Sequence, residues 1–259
     1  SFFGILGDDE LADVFDDYLA SYGVDTLTIR RPGTFTSQIY SLVTPDAERT
    51  MYMLPGASNT LTSADLDANI IEDYDYYVIN GFMLGREGHL ALTNKMIDAA
   101  LGSGKEIITL FANIICIKRS GELLKSIADK SAYISGNLEE FSMLYGFEDP
   151  EMLFQHFEDL TSVRKQRHKA VFITMGGDGA MIIFRGKRYH APATSVNVVD
   201  TTGAGDFFAG SVLYGLLNGY TVRQSADFAR ALLSDVLSTM GTSVSSDVRA
   251  RIDEIKQAA

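Results

Sequence analysis

Residues 198–215 have the sequence VVDTTGAGDFFAGSVLYG, in which Gly203, Ala204 and Gly205 lie between two aspartates just before an apolar run. Glycines at these positions allow the backbone to turn so that successive N–H groups point into one space. A helix that begins near Asp206 adds the positive end of its dipole there. The stretch therefore predicts an anion hole at a strand-to-helix turn, although a plain tight turn stays open on these residues alone.

The second aspartate of the stretch, Asp206, cannot serve to bind an anion, because like charges repel. A carboxylate at the rim of an anion hole can accept a proton or hold a cation. Transfer of a phosphoryl group to a hydroxyl needs both an anion site and a proton acceptor. The pattern favours that chemistry.

Helix-like and strand-like segments alternate on the amino-terminal side of this stretch, from about residue 65 onward. The predicted strands are YYVING at 76–81, EIITLFA at 106–112, AYISG at 132–136 and AVFIT at 170–174. The predicted helices are ADLDANIIED at 64–73, EGHLALTNKMIDAAL at 87–101, SGELLKSIADK at 120–130, NLEEFSMLYG at 137–146 and DPEMLFQHFEDL at 149–160. This order is typical of parallel βαβ units, with AVFIT as a fourth parallel strand.

Two further elements are predicted around the glycine stretch. AMIIF and RYHAPA, separated by RGK, indicate a hairpin at 180–193. A helix should begin after Thr221, which has Gln224 at capping-box spacing. Its predicted buried stripe consists of Phe228, Leu232, Val236 and Met240.

The first sixty residues differ from this alternation. SQIYSLV at 37–43, the turn TPDAE at 44–48 and RTMYML at 49–54 indicate a two-stranded ribbon, and we interpret residues 27–54 as a lid. A ribbon with little core of its own packs on a partner or closes over a ligand. Ile39 and Val43 alternate with Tyr40 and Leu42, so both faces are apolar, and we expect a monomer or a lid-mediated homodimer.

Composition limits the class of protein. With 259 residues and 46% apolar content, the chain can form one large core. The net charge of −12 argues against nucleic acid or an anionic membrane as partner. The single cysteine, Cys116, is expected in the core and fits a reducing compartment, the cytoplasm. The histidines are expected at the surface, and their spacing does not favour a transition-metal site: His89, His156, His168 and His190.

A family resemblance rests on residues 200–206, because D-T-x-G-A-G-D resembles the second signature of the ribokinase-like (PfkB-type) carbohydrate and nucleoside kinases. Four other stretches resemble family elements in the expected order: GDDELADVFDDYLASYGVDT at 7–26, LVTPDAERTM at 42–51, GNLEEF at 136–141 and TMGGDG at 174–179. Within the family, YYVINGFML, VTPDAERTM and the long stretch from Gly146 to Thr174 are most similar to adenosine kinases.

The resemblance implies a single α/β domain over residues 1–259, a ribokinase-like three-layer sandwich with a mainly parallel central sheet and a small β lid. It implies an ATP- and Mg²⁺-dependent kinase that phosphorylates a primary hydroxyl of a small-molecule nucleoside or sugar, with adenosine as the first expectation. A ribokinase- or fructokinase-like sugar kinase is the alternative within this class. A non-catalytic nucleotide-binding relative is the alternative outside it.

The resemblance also implies roles for single residues. Asp206 resembles the general base that takes the substrate's hydroxyl proton, and Gly203, Ala204 and Gly205 resemble the anion hole for the transferring phosphoryl group. Asn137 and Glu140 resemble the family's N-x-x-E element, which orders Mg²⁺ and its waters. Taken alone, N-x-x-E would indicate no more than a surface helix.

Three further assignments follow from the same resemblance. Thr174, Gly176 and Gly179 resemble contacts to the nucleotide phosphates, with a plain hairpin turn as the alternative that can also hold. Asp200 and Thr202, with carbonyls near Gly241, resemble a monovalent-cation site for K⁺. Phe82 and Met83 correspond to substrate-facing apolar side chains, with structural core as the alternative.

The chain departs from the family pattern in two places. Family members usually begin with a strand that holds a substrate-binding aspartate and a Gly-Gly segment, and the resemblance puts these before Ser1. The determinant of acceptor identity is therefore expected outside this sequence. LFANIICIKRS at 110–120 replaces the family's more usual Ser- and Pro-containing stretch.

Overall fold

The computed structural model describes residues 1–44, 49–162 and 168–242. The chain divides into two compact units, one formed by Ser1–Asp73 with Arg86–Ala99 and the other by Tyr74–Gly85 with Ala100–Ala259. Most of the predicted turn TPDAE, at 45–48, lies outside the described residues.

The first unit contains two small sheets. Strands β1 (Phe2–Gly7) and β2 (Thr26–Arg31) pair in parallel, and helix α1 (Glu10–Ser21) connects them. Strands β3 (Gln38–Val43) and β4 (Arg49–Leu54) form an antiparallel ribbon. The ribbon is thus shorter than the predicted segment 27–54, because residues up to Arg31 pair with β1 instead.

The predicted helix at 64–73 is wrong in type. The structure has a 3₁₀ helix at Ala68–Asp73, after a 3₁₀ turn at Ala57–Thr60. Asp65 accepts a hydrogen bond from the Thr62 backbone N–H at 2.8 Å, and Asp67 accepts one from the Asn69 N–H at 2.9 Å. Such local bonds to the backbone compete with α-helix formation. Helix α2 (Glu87–Gly102) follows as predicted.

The second unit is built on a six-stranded sheet. Its strands are β5 (Tyr76–Asn80), β6 (Glu106–Leu110), β7 (Tyr133–Asn137), β8 (Ala170–Thr174), β9 (Ala180–Phe184) and β10 (Lys187–Ala191), in the spatial order β10-β9-β8-β7-β6-β5. Strands β5 to β8 are parallel, which confirms the predicted fourth parallel strand. Strand β9 runs antiparallel to β8 and to β10, so the predicted hairpin is present.

Helices cover this sheet. They are α3 (Ile114–Ala128), α4 (Leu138–Tyr145), α5 (Pro150–Ser162), α6 (Ala204–Leu217) and α7 (Val222–Leu237). Phe172 shares a buried cluster with Phe208 and Val212 of α6. Val171 and Ile173 point to the opposite face of the sheet and are also buried. Burial of each such side chain stabilises the fold by about 1.5–3 kcal/mol.

The last two helices pack closely at a glycine. A Cβ added at Gly215 would lie 2.4 Å from Oγ of Ser225, so a side chain there would force α6 and α7 apart. Helix α7 has the predicted capping box between Thr221 and Gln224. Phe228, Leu232 and Val236 are buried as predicted. Met240 is 61% exposed, because the helix ends at Leu237 and the stripe ends with it.

Two other single-residue predictions have opposite outcomes. Cys116 is buried, as expected. His168 is also buried, which corrects its predicted surface position, and its Nδ1 lies 2.8 Å from the Ser131 carbonyl oxygen.

Helix α3 begins at Ile114 rather than at Ser120, since Asn113 caps it, and Ser120 becomes a non-helical kink. Within the described residues, no helix is long and apolar enough to cross a bilayer.

Candidate active site

The predicted site residues of the second unit follow the carboxyl ends of its strands. Asn137 ends β7 and is in register with Thr174, which ends β8. Open α/β sheets bind ligands at this edge. Helix α6, which begins within the glycine stretch, contacts β7. The fold therefore places three motifs that are far apart in the sequence on neighbouring elements: N-x-x-E at 137–140, TMGGDG at 174–179 and the glycine stretch at 203–205.

Asn137 and Glu140 form a reciprocal capping box at the start of α4. The Glu140 backbone N–H donates to Oδ1 of Asn137, and the Asn137 N–H donates to Oε2 of Glu140, both at 2.8 Å. A Cβ at Gly136 would lie 2.5 Å from the Phe111 ring and 2.8 Å from Oε2 of Glu140, so glycine leaves the space that this carboxylate needs. The predicted Mg²⁺ residues therefore also hold the helix start.

The carboxyl group of Glu140 is buried, and this burial raises its pKa above the usual range. The hydrogen bond from the Asn137 N–H opposes the shift, whereas the negative charges of Glu139 and Asp206 add to it. The effect of Asp206 is the smallest of these, so its negative charge acts on Glu140 only weakly. A cation near Glu140 would favour the ionised form of its carboxyl group.

The glycine stretch forms the start of α6. Gly203 has φ +74°, a left-handed conformation that favours glycine, and the helix begins at Ala204. No side chain among the described residues caps this helix start. The N–H groups of a first helical turn have no acceptors within their helix. The Ala204 N–H already donates to the Thr201 carbonyl oxygen at 3.3 Å, which leaves the N–H groups of Gly205 and Asp206 as candidates for an anion, and the predicted anion hole stays a prediction.

Gly205 and Asp206 face open space beside this helix start. A Cβ at Gly205 would meet nothing within 4 Å among the described residues, so packing does not require glycine there. Asp206 is exposed as a residue. Protein atoms nevertheless remove part of the solvent around its carboxylate, and this raises the pKa of Asp206. A raised pKa makes the carboxylate a stronger proton acceptor.

Asp200 has a structural role that its sequence motif alone does not predict. Its Oδ1 accepts hydrogen bonds from the Thr202 backbone N–H at 2.9 Å and from the Thr202 hydroxyl at 2.7 Å. Its Oδ2 accepts one from the Gly241 N–H at 3.0 Å. Asp200 thus ties the glycine stretch to the segment after α7. Aspartate followed two residues later by threonine is a turn signal that could have revealed this role.

The TMGGDG stretch is a tight turn between β8 and β9. The Met175 N–H donates to the Gly179 carbonyl at 2.7 Å, and Gly176 and Gly179 have φ values of +57° and +89°. A Cβ at Gly179 would lie 2.1 Å from the Ala191 carbonyl oxygen. The hairpin-turn interpretation is therefore confirmed, and the contact of Thr174, Gly176 and Gly179 with phosphates stays a prediction.

Phe82 and Met83 lie in a 3₁₀ helix, Gly81–Leu84, directly after β5. The Asn80 side chain caps it by accepting from the Phe82 N–H at 3.0 Å. Phe82 is 55% exposed, so its interpretation as core is wrong, while Met83 is partly buried. An exposed aromatic ring at the carboxyl edge of the sheet is compatible with the predicted contact to substrate.

Known proteins resemble this chain over most of its length. A family model described as pfkB family carbohydrate kinase matches residues 1–249. The aminoimidazole riboside kinase of Salmonella typhimurium is 27% identical over 248 residues, which cover 92% of this chain and 72% of that protein.

Solved structures resemble the fold as a whole. The adenosine kinase from Sinorhizobium meliloti matches with a TM-score of 0.85 at 21% identity, covering 99% of this chain and 77% of that one. A putative ribokinase II from E. coli, in complex with ATP and Mg²⁺, matches with a TM-score of 0.84 at 20% identity, covering 99% and 82%. These likenesses confirm the ribokinase-like α/β fold.

Proposed function

Because the chain belongs to the pfkB family of carbohydrate kinases, we propose that it transfers the γ-phosphoryl group of ATP to a primary hydroxyl of a nucleoside or sugar, with adenosine as the expected acceptor. Family membership makes the protein a phosphotransferase that acts on a hydroxyl group. The proposal for the acceptor and for the residues rests on the site geometry.

One observation supports the reaction above all others: the Asp206 carboxylate lies in the first turn of a helix that no side chain among the described residues caps. In the step we propose, Asp206 accepts the hydroxyl proton while the hydroxyl oxygen bonds to the γ-phosphorus. The bond from that phosphorus to the β–γ bridging oxygen breaks, and ADP leaves. The raised pKa of Asp206 strengthens it as the base.

The γ-phosphoryl oxygens would lie at the start of α6, against the backbone N–H groups near Gly203, Ala204 and Gly205. Preorganised N–H groups stabilise charge that develops on these oxygens in the transition state. The absence of a side chain at Gly205 supports this placement, because the space beside it is open to a ligand.

Asn137 and Glu140 fit a hydrated Mg²⁺ ion. Mg²⁺ keeps several waters and is usually bound through one or two carboxylates and the substrate phosphates, and it neutralises charge on those phosphates. Glu140 accepts the capping bond through Oε2, so Oε1 would be the oxygen that contacts the ion or its waters. The negative charge of Asp206, which adds slightly to the cost of ionising Glu140, supports a cation near this carboxylate.

The nucleotide's other phosphates would contact Thr174, Gly176 and Gly179, since Thr174 is in register with Asn137. We further propose that Asp200 and Thr202 act on a K⁺ ion indirectly, by holding the loop whose carbonyl oxygens would bind it. The Asp200 oxygens already accept hydrogen bonds from Thr202 and Gly241.

The exposed ring of Phe82 supports a nucleoside as acceptor, because a nucleobase can stack on an aromatic side chain and a sugar alone gains less from it. Met83 would add apolar surface beside it. The ribbon β3–β4 would serve as the lid or as the contact of a homodimer.

The test is ATP consumption by the purified protein with adenosine, inosine, ribose and fructose as acceptors. We expect turnover with adenosine to exceed turnover with the sugars, and Phe82→Ala to raise the KM for adenosine more than that for ribose. Preference for ribose or fructose, unaffected by Phe82→Ala, would favour the sugar-kinase alternative. Absence of acceptor-dependent ATP consumption across the panel would contradict the proposed reaction.

A further inference from the structure

The ribbon β3–β4 leaves the first unit from a buried base, formed by residues 35–37 before β3 and residues 56–58 after β4. Thr36, Gly56 and Ala57 are buried there. In the ribbon itself, residues 39–42 and 50–53 are all exposed. The base is therefore the part of the ribbon that the rest of the unit supports.

Asp9, at the start of α1, accepts two hydrogen bonds from this base. Its Oδ1 accepts from the Thr36 hydroxyl at 2.6 Å, and its Oδ2 accepts from the Thr36 N–H at 2.7 Å. Oδ1 also accepts from the Ala12 N–H at 3.1 Å, so the same carboxylate caps α1. The bonds from the Thr36 hydroxyl and N–H lower the pKa of Asp9, which keeps the carboxylate ionised at neutral pH. Asp9 thus joins α1 to the entry of β3.

The Thr36 hydroxyl joins a third element to this contact. Its Oγ1 accepts from the Gly7 N–H, at the end of β1, at 3.0 Å. A side chain at Gly7 would clash with the backbone of Phe35 and Thr36, so glycine permits the close approach. One buried hydroxyl therefore donates to α1 and accepts from β1, which uses the two capacities of a threonine side chain.

The two ends of the ribbon are also bonded to each other at the base. The Ala57 N–H donates to the Phe35 carbonyl at 2.8 Å. The Ser37 Oγ accepts from the Gly56 N–H at 3.0 Å and lies 2.6 Å from the Oγ of Ser58. Both strands thus leave one hydrogen-bonded junction, so the direction of the whole ribbon depends on how Asp9 and β1 hold that junction.

We propose that Asp9 and Thr36 are positioning residues, which fix the direction of the ribbon for its role as lid. This step rests on the proposed function. Without the contact, the ribbon takes several directions while the fold persists. The apparent affinity for the acceptor then falls by the fraction of molecules whose ribbon is correctly placed. The chemical step at Asp206 does not change, so KM rises and kcat stays constant.

The first test is peptide-level hydrogen–deuterium exchange of the full chain. Thr36→Val removes the hydroxyl and keeps the shape, and Asp9→Asn leaves one acceptor oxygen where the contact uses two. Both should speed exchange in residues 38–43 and 49–54, whereas Thr36→Ser, which keeps the hydroxyl, should not.

Thr161→Val is the matched control. Thr161 is also buried, donates to the Phe157 carbonyl at 2.8 Å and accepts from the Gly186 N–H at 3.0 Å, but it lies in the second unit. Its urea midpoint should fall about as much as that of Thr36→Val, with exchange in the ribbon unchanged. Equal exchange of the ribbon in Thr36→Val and Thr161→Val would overturn the proposal.

Steady-state kinetics supply the second test. Thr36→Val and Asp9→Asn should raise the KM for the acceptor about tenfold, since losing a hydrogen bond to a charged group shifts a population by about that factor. The kcat should change by less than about twofold, and Thr36→Ser should restore the KM. Faster exchange with an unchanged KM would overturn the positioning role. A protein that consumes ATP with no acceptor contradicts the proposed reaction instead, and the exchange measurement still decides whether Thr36 holds the ribbon.

Discussion

Two aspartates six residues apart differ in what their carboxylates contact. Both oxygens of Asp200 accept hydrogen bonds from the backbone or from the Thr202 side chain, so this residue fixes the loop. Asp206 lies in the first turn of α6 and is exposed, with a pKa raised by partial burial of its carboxylate. The same residue type therefore has a structural role in one position and a proposed catalytic role in the other.

Asp206→Asn should lower kcat while ATP binding stays nearly unchanged. The amide has the same shape, but it cannot accept the hydroxyl proton, and loss of a general base costs about 10²–10⁴-fold in rate. Steady-state kinetics and nucleotide titration measure the two effects. Asp227→Asn, which removes a half-exposed carboxylate on α7, is the control. Retention of more than about a tenth of the turnover would contradict the role of base.

Alanine at Gly203 and at Gly205 should have opposite effects on stability. Gly203 has φ +74°, so a Cβ there should cost about 1–2 kcal/mol. Gly205 lies inside the helix with open space around a Cβ, so alanine should add roughly 0.5–1 kcal/mol. Denaturant unfolding measures both.

The same pair tests the anion hole. Gly205→Ala should weaken ATP binding despite its higher stability, because the new methyl group occupies space proposed for a phosphate. Unchanged ATP affinity in Gly205→Ala would mean that the phosphates lie elsewhere.

At the scale of elements, the β7–α4 junction combines a helix cap with a proposed metal site. Burial raises the pKa of Glu140 in the folded state, so its ionised form is less favourable there than in the unfolded chain. At a pH below the pKa of this carboxyl group in the unfolded chain, near 4.5, the protonated form makes its full contribution to the stability of the fold. This contribution is lost as the pH rises through the higher pKa of the folded state.

Glu140→Gln should therefore be at least as stable as the unchanged protein at neutral pH, because the amide oxygen keeps the capping bond and has no charge. The difference in stability should shrink toward pH 4.5. The apparent affinity for Mg²⁺ should fall about 10–100-fold. Thermal unfolding across pH and a Mg²⁺ titration of kinase activity measure these effects. An unchanged Mg²⁺ dependence would mean that Glu140 caps helix α4 and does not bind Mg²⁺.

The ribbon β3–β4 has apolar side chains on both faces, with Ile39, Leu42 and Tyr52 each at least 60% exposed. Exposed apolar strands favour pairing with another surface. Of the two expected states, a monomer or a lid-mediated homodimer, the exposed ribbon favours the homodimer, which Leu42→Lys should convert to the monomer in light scattering. Ser41→Lys, on the opposite face, is the matched control. A monomeric mass for the unchanged protein at the same concentration would contradict this pairing.

Elements with strong periodicity were predictable and their ends were not. The four parallel strands and the hairpin follow from apolar runs such as AVFIT. The start of α3 was missed because the capping role of Asn113 is visible only once its backbone conformation is known. The kink at Ser120 separates the predicted helix at 120–130 from the first part of α3, residues 114–119, which was not predicted.

The candidate site could be proposed from residue type, but the contacts among its residues could not be predicted. The glycine stretch predicted an anion hole, because its conformational requirement is local. The electrostatic influence of Asp206 on Glu140, and the hydrogen bond from the Gly241 N–H to Asp200, join residues far apart in the chain. Such contacts depend on how helices pack on the sheet.

At the scale of the whole molecule, the net charge of −12 opposes the approach of a nucleotide with the same sign. The proposed phosphate site relies on backbone N–H groups and Mg²⁺ rather than on lysine or arginine side chains. The attraction is therefore short in range, whereas the repulsion extends over a Debye length of about 10 Å at 0.1 M salt.

Screening should therefore raise kcat/KM for the Mg²⁺–ATP complex as ionic strength increases from about 20 to 200 mM. The rise should be equal in choline chloride and sodium chloride, since it depends on charge alone. An additional rise in potassium chloride at equal ionic strength would measure K⁺ bound near the loop that Asp200 holds. A steep fall of kcat/KM with every salt would mean that cationic side chains bind the phosphates, and the backbone anion hole at Gly203–Gly205 would then be the wrong site.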